Sequence, residues 1–200
     1  MGVDNFGGAY SATSHIIGNG RQRIALFKIS PSFLSSVRER EAGYRNALKK
    51  NGSRVNTKLI REIKFDNIRD QVKEELHDLL QDPHRIDGLF SVNNNITIAC
   101  LEVLRDMKIK VPEDLAIVSF DDIELFHLSN PTVTAIAQPL ERIGEEAVAI
   151  LLDEIDHRGK RGFISKVLPV AVIERESCGK PLDNFTGLRR LREELVGPLP

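Results

Sequence analysis

Two hydrophobic patterns alternate along the chain. Runs such as IALFKI at Ile24–Ile29, GLFSV at Gly88–Val92 and LAIVSF at Leu115–Phe120 are almost continuously apolar, the mark of strands buried on both faces. LIREIKF at Leu59–Phe65, TAIAQ at Thr134–Gln138 and VLPVAVIER at Val167–Arg175 read as three more strands. Between them apolar residues recur at helical spacing. A first helix is predicted over Gly8–Ile17, closed by Gly18-Asn19-Gly20, a glycine-rich C-cap. A second carries Phe33, Val37, Tyr44 and Leu48, and a third Ile68, Val72, Leu76, Leu79 and Leu80, ending before Pro83. A fourth runs from the Asn93-Asn94-Asn95 segment to Met107, and a long one from Pro139 to about His157. Strand and helix in alternation predict an α/β fold, a doubly wound and mostly parallel sheet with helices on both faces.

Composition narrows the class. The chain is 41% hydrophobic and 28% charged, a globular balance that excludes a disordered or fibrous protein. With 28 Lys and Arg against 29 Asp and Glu, net charge -1, it lacks the positive field that binding to a phosphate backbone requires. Cys100 and Cys178 have neither a nearby partner nor metal-ligand spacing and read as reduced, buried thiols of a cytoplasmic protein. No membrane span or signal peptide is evident. Met1-Gly2 does not begin a myristoylation motif, because Phe6 stands where Ser or Thr is needed.

In an open α/β sheet, ligands bind outside the carboxyl ends of the strands. The residues predicted there are Phe65, Asn93 with Asn94, Asp121 with Asp122, and Gln138: an aromatic plate, amides and carboxylates. Arg40 falls on the apolar face of the second helix, between Val37 and Tyr44, where a charge is costly unless paired. Pairing Arg40 with Asp121 satisfies both and presents donors and acceptors suited to the vicinal hydroxyls of a polyol. Each residue also has an ordinary structural alternative: Asp121 and Asn93 as helix caps, Phe65 as core, Arg40 with its stem packed and its head in water. Catalysis finds no support. His15, His77, His84, His127 and His157 stand in unrelated positions and read as surface residues, and no HExxH, nucleophile elbow or glycine-rich phosphate loop occurs. An acidic pair at Asp121-Asp122 suggests a receiver domain, but the first strand ends without the acidic residues that would hold its magnesium. The sequence therefore reads as a non-enzyme with no cofactor and no metal.

The segments VDNFGGAYSATSHIIGNGRQRIALF, REREAGYRNALKKNG, FSVNNNITIACLEVLRDMKIKVPEDLAIVSFDDIE, PTVTAIAQPLERIGEEAVAILLDEI and VLPVAVIERES resemble, in order and spacing, the C-terminal part of the sensor domain in the lac-repressor (LacI/GalR) family of transcriptional regulators. The likeness runs over about Val3–Ser177, with VPEDLAIVSFDD and AIAQPLERIGEEA as its most specific stretches. It implies one lobe of a periplasmic-binding-protein-like type I fold and binding chemistry only: a small-molecule effector, a sugar or in one branch a purine, that controls operator binding. It also implies that Arg40 grips the effector, Asp121 accepts its hydroxyls, Phe65 stacks on its ring, Asn93 adds an amide, and Gln138 and Asp4 lie on crossovers between lobes. One departure is Asn93-Asn94, where many relatives have Asn-Asp.

The resemblance further divides the chain into residues 1–138 with 163–178 as the C-terminal lobe, 139–160 as a helix belonging to the N-terminal lobe, and 179–200 as a C-terminal tail. Family members carry a DNA-binding headpiece and the rest of the N-terminal lobe before the matching region, so operator DNA is expected to be read only by that headpiece. A homodimer is implied as well. The fourth helix, with Ile96, Ile98, Ala99, Val103 and Leu104 around its circumference, is expected either to meet a partner or to be sandwiched in the core. The stripe Leu140, Ile143, Ala147, Ile150, Leu151 and Ile155 on the long helix is expected to dock on its own lobe or on a second copy. A solute-binding protein of a sugar transport system shares the two-lobe fold and is the alternative reading, with VPEDLAIVSFDD favouring the regulator.

Overall fold

The computed structural model describes residues 1–31, 33–156 and 165–179. A six-stranded sheet in the order β3-β2-β4-β5-β6-β8 forms its centre. The strands are β2 (Ile24–Ser30), β3 (Ile60–Lys64), β4 (Gly88–Ser91), β5 (Ala116–Phe120), β6 (Thr134–Ala137) and β8 (Ala171–Ile173). All pair in parallel except β8, which runs antiparallel to β6. Strands β2, β4 and β5 are buried along nearly their whole length, as their unbroken apolar runs required. A separate two-stranded sheet pairs β1 (Gly2–Val3) with β7 (Val167–Leu168).

Helices α1 (Asn5–Gly18) and α2 (Ser35–Lys50) pack together on one face, and α3 (Ile68–Gln81) and α4 (Asn94–Asp106) on the other. A short α5 (Leu125–Leu128) precedes β6, and α6 (Leu140–Asp156) follows it. The winding direction reverses between β2 and β4: the chain leaves β2 for β3 on one side, then returns to β4 on the other. That reversal opens a crevice at the carboxyl ends of β2 and β4. Two glycines let α1 approach it closely. A Cβ on Gly43 of α2 would stand 2.3 Å from the Phe6 carbonyl oxygen, and one on Gly8 would stand 2.9 Å from the Phe120 ring.

Four expectations need correction. The helix α1 begins at Asn5 rather than Gly8 because Asp4 caps it, its carboxylate accepting from the Gly7 amide at 2.7 Å. Phe33 is not on the face of α2: the helix starts at Ser35 after an extended Leu34, and Phe33 is 74% exposed. The predicted last strand is two strands in different sheets, β7 and β8, divided around Pro169, which cannot donate to a ladder. Of the histidines, His77, His84 and His127 are exposed as expected, while His15 is half-buried and His157 lies outside the described residues. Cys100 and Cys178 are free and buried, and burial pushes the Cys178 thiol up to about 12.

The fourth helix resolves toward the sandwich. Ile96, Ala99, Cys100, Val103 and Leu104 join the main core, while Ile98 and Leu101 pack on Phe126, Val133 and Ala135. The long helix α6 does not dock on its lobe: none of its residues is buried, and Leu140, Val148, Leu151, Leu152 and Ile155 are exposed. Both faces of the sheet are already covered by α1 with α2 and α3 with α4, so neither face of the sheet is free for that stripe. The helix boundary drawn at residue 160 lies outside the described residues, as does the tail beyond Gly179, whereas residues 165–178 of the second lobe segment are described.

Candidate effector site

The guanidinium of Arg40 sits at the switch point, with only 10% of the side chain exposed. Its Nε donates to Asn5 Oδ1 at 2.9 Å and its Nη1 to the Val92 carbonyl at 2.6 Å. The plane stacks on Phe120, with Cζ 3.6 Å from the ring centroid, a cation–π contact strengthened by exclusion of water. Asp121 Oδ2 lies 3.8 Å from Nη1, an ionic contact longer than a hydrogen bond. Burial pulls the Arg40 pKa down, against the opposing pull of the Asp121 and Glu39 carboxylates. A guanidinium stays charged under such a shift, so the mouth carries a fixed, largely dehydrated cation. Neither surface snorkelling nor a direct, short pairing with Asp121 describes Arg40: a backbone carbonyl and an amide hold it.

Asn5 is the residue that sequence reasoning missed. It is buried at the start of α1, its Oδ1 accepting from Arg40 while its Nδ2 donates to Glu39 Oε2 at 3.0 Å and to the Val3 carbonyl at 3.2 Å. Only the close crossing of α1 and α2 at Gly43 brings Asn5 to Arg40, and nothing in the local sequence announces that contact.

Asp121 follows β5 with φ of 73°, a left-handed conformation uncommon for a side-chain-bearing residue and frequent at functional sites. Its amide continues the ladder to the Ile136 carbonyl at 3.0 Å, and its Oδ1 accepts from Gln138 Nε2. Asp121 therefore caps no helix: its carboxylate stands between a guanidinium and an amide. Asn93 does cap one. Its Oδ1 accepts from the Ile96 amide at 3.0 Å, and its carbonyl accepts from Ser91 and Thr97 hydroxyls. Val92, which carries the carbonyl bound by Arg40, directly precedes it, so the start of α4 and Arg40 are fixed to one another.

The structure thus gathers Arg40, Asp121 and Gln138, with Asn93 beside them through Val92, and Asp4 one residue from Asn5. Phe65 stands apart at the end of the edge strand β3, two strand positions from β4, and is 61% exposed. It is not core, and its ring is open to a ligand or to solvent. The cluster offers a cation, a carboxylate and amides at the carboxyl ends of the strands.

The periplasmic binding protein-like domain family matches residues 13–178. The chain is 31% identical over 183 residues to the "Probable opine utilization operon repressor" of Rhizobium rhizogenes, covering 88% of this chain and 90% of that protein. It is 33% identical over 153 residues to the transcriptional regulator CelR of Thermobifida fusca, covering 76% of this chain and 44% of that regulator. The chain spans about half the length of other regulators it resembles, as with the repressor CytR of Escherichia coli, 31% identical and covered over 44%. Among solved structures, the CelR–cellobiose complex superposes with a TM-score of 0.78 at 31% identity, over 88% of this chain and 52% of that one.

Proposed function

As the chain belongs to the lac-repressor family of transcriptional regulators, with its periplasmic binding protein-like fold, we propose that it senses a small-molecule effector and forms one wall of the effector cleft. The relatives are regulators and not enzymes. The observation that carries the reading is the buried Arg40 at the switch point, held by Asn5, Val92 and Phe120 and facing Asp121. A dehydrated fork donor opposite a carboxylate is the arrangement that recognises neighbouring hydroxyl groups, and a sugar is the effector class it suits. Phe65 supplies a ring face at the rim, and Gln138 orients Asp121.

In this reading the lobe is residues 1–138 with 163–178, and the exposed stripe of α6 packs against the N-terminal lobe. Effector bound between the lobes shifts the balance of operator-competent and incompetent states. Operator DNA is bound outside the lobe, in keeping with the chain's net charge of -1, and the regulator acts as a homodimer in the cytoplasm. Among the described residues no helix is long and apolar enough to cross a membrane.

Calorimetric titration of the protein with cellobiose, ribose and a purine base tests the site. Arg40→Met keeps the packed stem but removes the cation, and Asp121→Ala removes its counter-charge. Each is expected to weaken binding by about 2 to 5 kcal/mol, the range for removing one partner of a buried, hydrogen-bonded charged contact, here the contact each makes with the effector. Unchanged affinity in both variants would place the effector elsewhere.

A further inference from the structure

We propose that Arg175 is a positioning residue for Asp121: by clamping Asp122 and the start of β6 together, it holds the turn that aims the Asp121 carboxylate into the mouth. The inference rests on the reading of Asp121 as an effector acceptor, and it names the group that keeps Asp121 in place. Asp121 and Asp122 are neighbours, yet their carboxylates part. Asp121 meets Arg40 and Gln138, whereas Asp122 accepts a bidentate pair from Arg175, Nη1 to Oδ1 at 2.9 Å and Nη2 to Oδ2 at 2.7 Å.

Only 8% of the Arg175 side chain and 17% of Asp122 are exposed, so the fork is largely shielded from competing water. The same guanidinium donates from Nη1 to the Val133 carbonyl at 2.5 Å, and the Arg175 amide donates to Thr134 Oγ1 at 2.9 Å. Thr134 opens β6 and Val133 directly precedes it, while Asp122 lies two residues beyond the end of β5, so one residue fastens the turn that leaves β5 to the start of its parallel neighbour. Its Nη2 also lies 2.7 Å from His127 Nε2; a guanidinium only donates, so that nitrogen is the acceptor. The clamp is delivered by β8, whose antiparallel course along β6 returns Arg175 to this point. A left-handed, non-glycine residue persists only where its surroundings over-determine it. Asp121 has the Ile136 carbonyl on one side of its turn and the Arg175–Asp122 fork on the other.

The test is residue-resolved hydrogen exchange on the effector-free protein, comparing wild type with Arg175→Met and with Asp122→Asn, which keeps the side-chain shape should the first variant fail to fold. The Asp121 amide is expected to exchange at least tenfold faster in the variants, with the Val118 amide inside β5 within twofold of wild type. Local release of this kind is what exchange separates from global unfolding. Unchanged exchange at Asp121, or equal acceleration at Asp121 and Val118, would overturn the proposal and leave Arg175 a general stabiliser. No effector enters this measurement, so its outcome is independent of the calorimetry that tests the effector reading.

Discussion

Helices α3 and α6 carry the same kind of stripe and meet opposite fates. In α3, Val72, Leu76 and Leu79 are buried against β3 and α4; in α6, the comparable Leu151 and Ile155 are 60% and 62% exposed. Each large apolar side chain moved from water into a core contributes about 1.5 to 3 kcal/mol, so the two helices differ in what holds them. Hydrophobic period is a property of the segment alone, whereas burial requires a facing surface that is still free. The sheet of this lobe has two faces, and the other four long helices occupy both. The stripe of α6 is thereby left as a docking surface, and a second lobe is the partner proposed for it.

The most forceful way to break this comparison is a matched pair of truncations. Leu76→Ala, at a fully buried position, is expected to destabilise the protein by about 2 to 5 kcal/mol in urea denaturation. Leu151→Ala should cost under about 0.5 kcal/mol. A loss above roughly 1.5 kcal/mol in the second variant would mean that α6 is packed in solution, against the second copy if the loss grows with protein concentration.

Two smaller effects sharpen the same contrast within the lobe. Asn93→Ala removes the cap of α4 and should cost about 1 kcal/mol, read from the same denaturation curves. The other effect is a dependence on pH. Burial alone would raise the Glu41 pKa, but hydrogen bonds from Lys28 and Arg45, at 2.7 and 2.8 Å, together with their charges hold it below its ordinary value. A depressed carboxyl stabilises the fold above its unfolded pKa and loses that contribution as pH falls through the lower folded value. Glu41→Gln should therefore flatten the acid side of the stability profile and leave the region between pH 5 and 8 parallel to wild type. An unaltered acid limb would show that the Lys28–Glu41–Arg45 cluster contributes nothing to folding.

The sequence made most of the parallel sheet legible because its central strands are buried on both faces and so spell continuous apolar runs. It made Arg40 legible too, as a charge on an apolar helix face, and Asp121 as an acid at a strand end. What it could not display were contacts made by elements distant along the chain. Asn5 reaches Arg40 only through the α1–α2 crossing, and Arg175 reaches Asp122 only because Pro169 splits the last apolar run and sends β8 back along β6. The free face of α6 follows from a related cause: its stripe predicts a need for burial without revealing that both faces of its own sheet are taken by other helices.

The central claim is that the carboxyl ends of the strands form an effector mouth around Arg40 and Asp121. Hydrogen exchange of the protein with and without a saturating effector, found by titrating cellobiose, ribose and a purine base, tests it most directly. Protection is predicted at the amides of Asp121 and Gln138 and across the first turn of α4, with none at the opposite edge around Val111 and Glu113. Protection confined to that opposite edge, with the amides of Asp121 and Gln138 unchanged, would contradict the account.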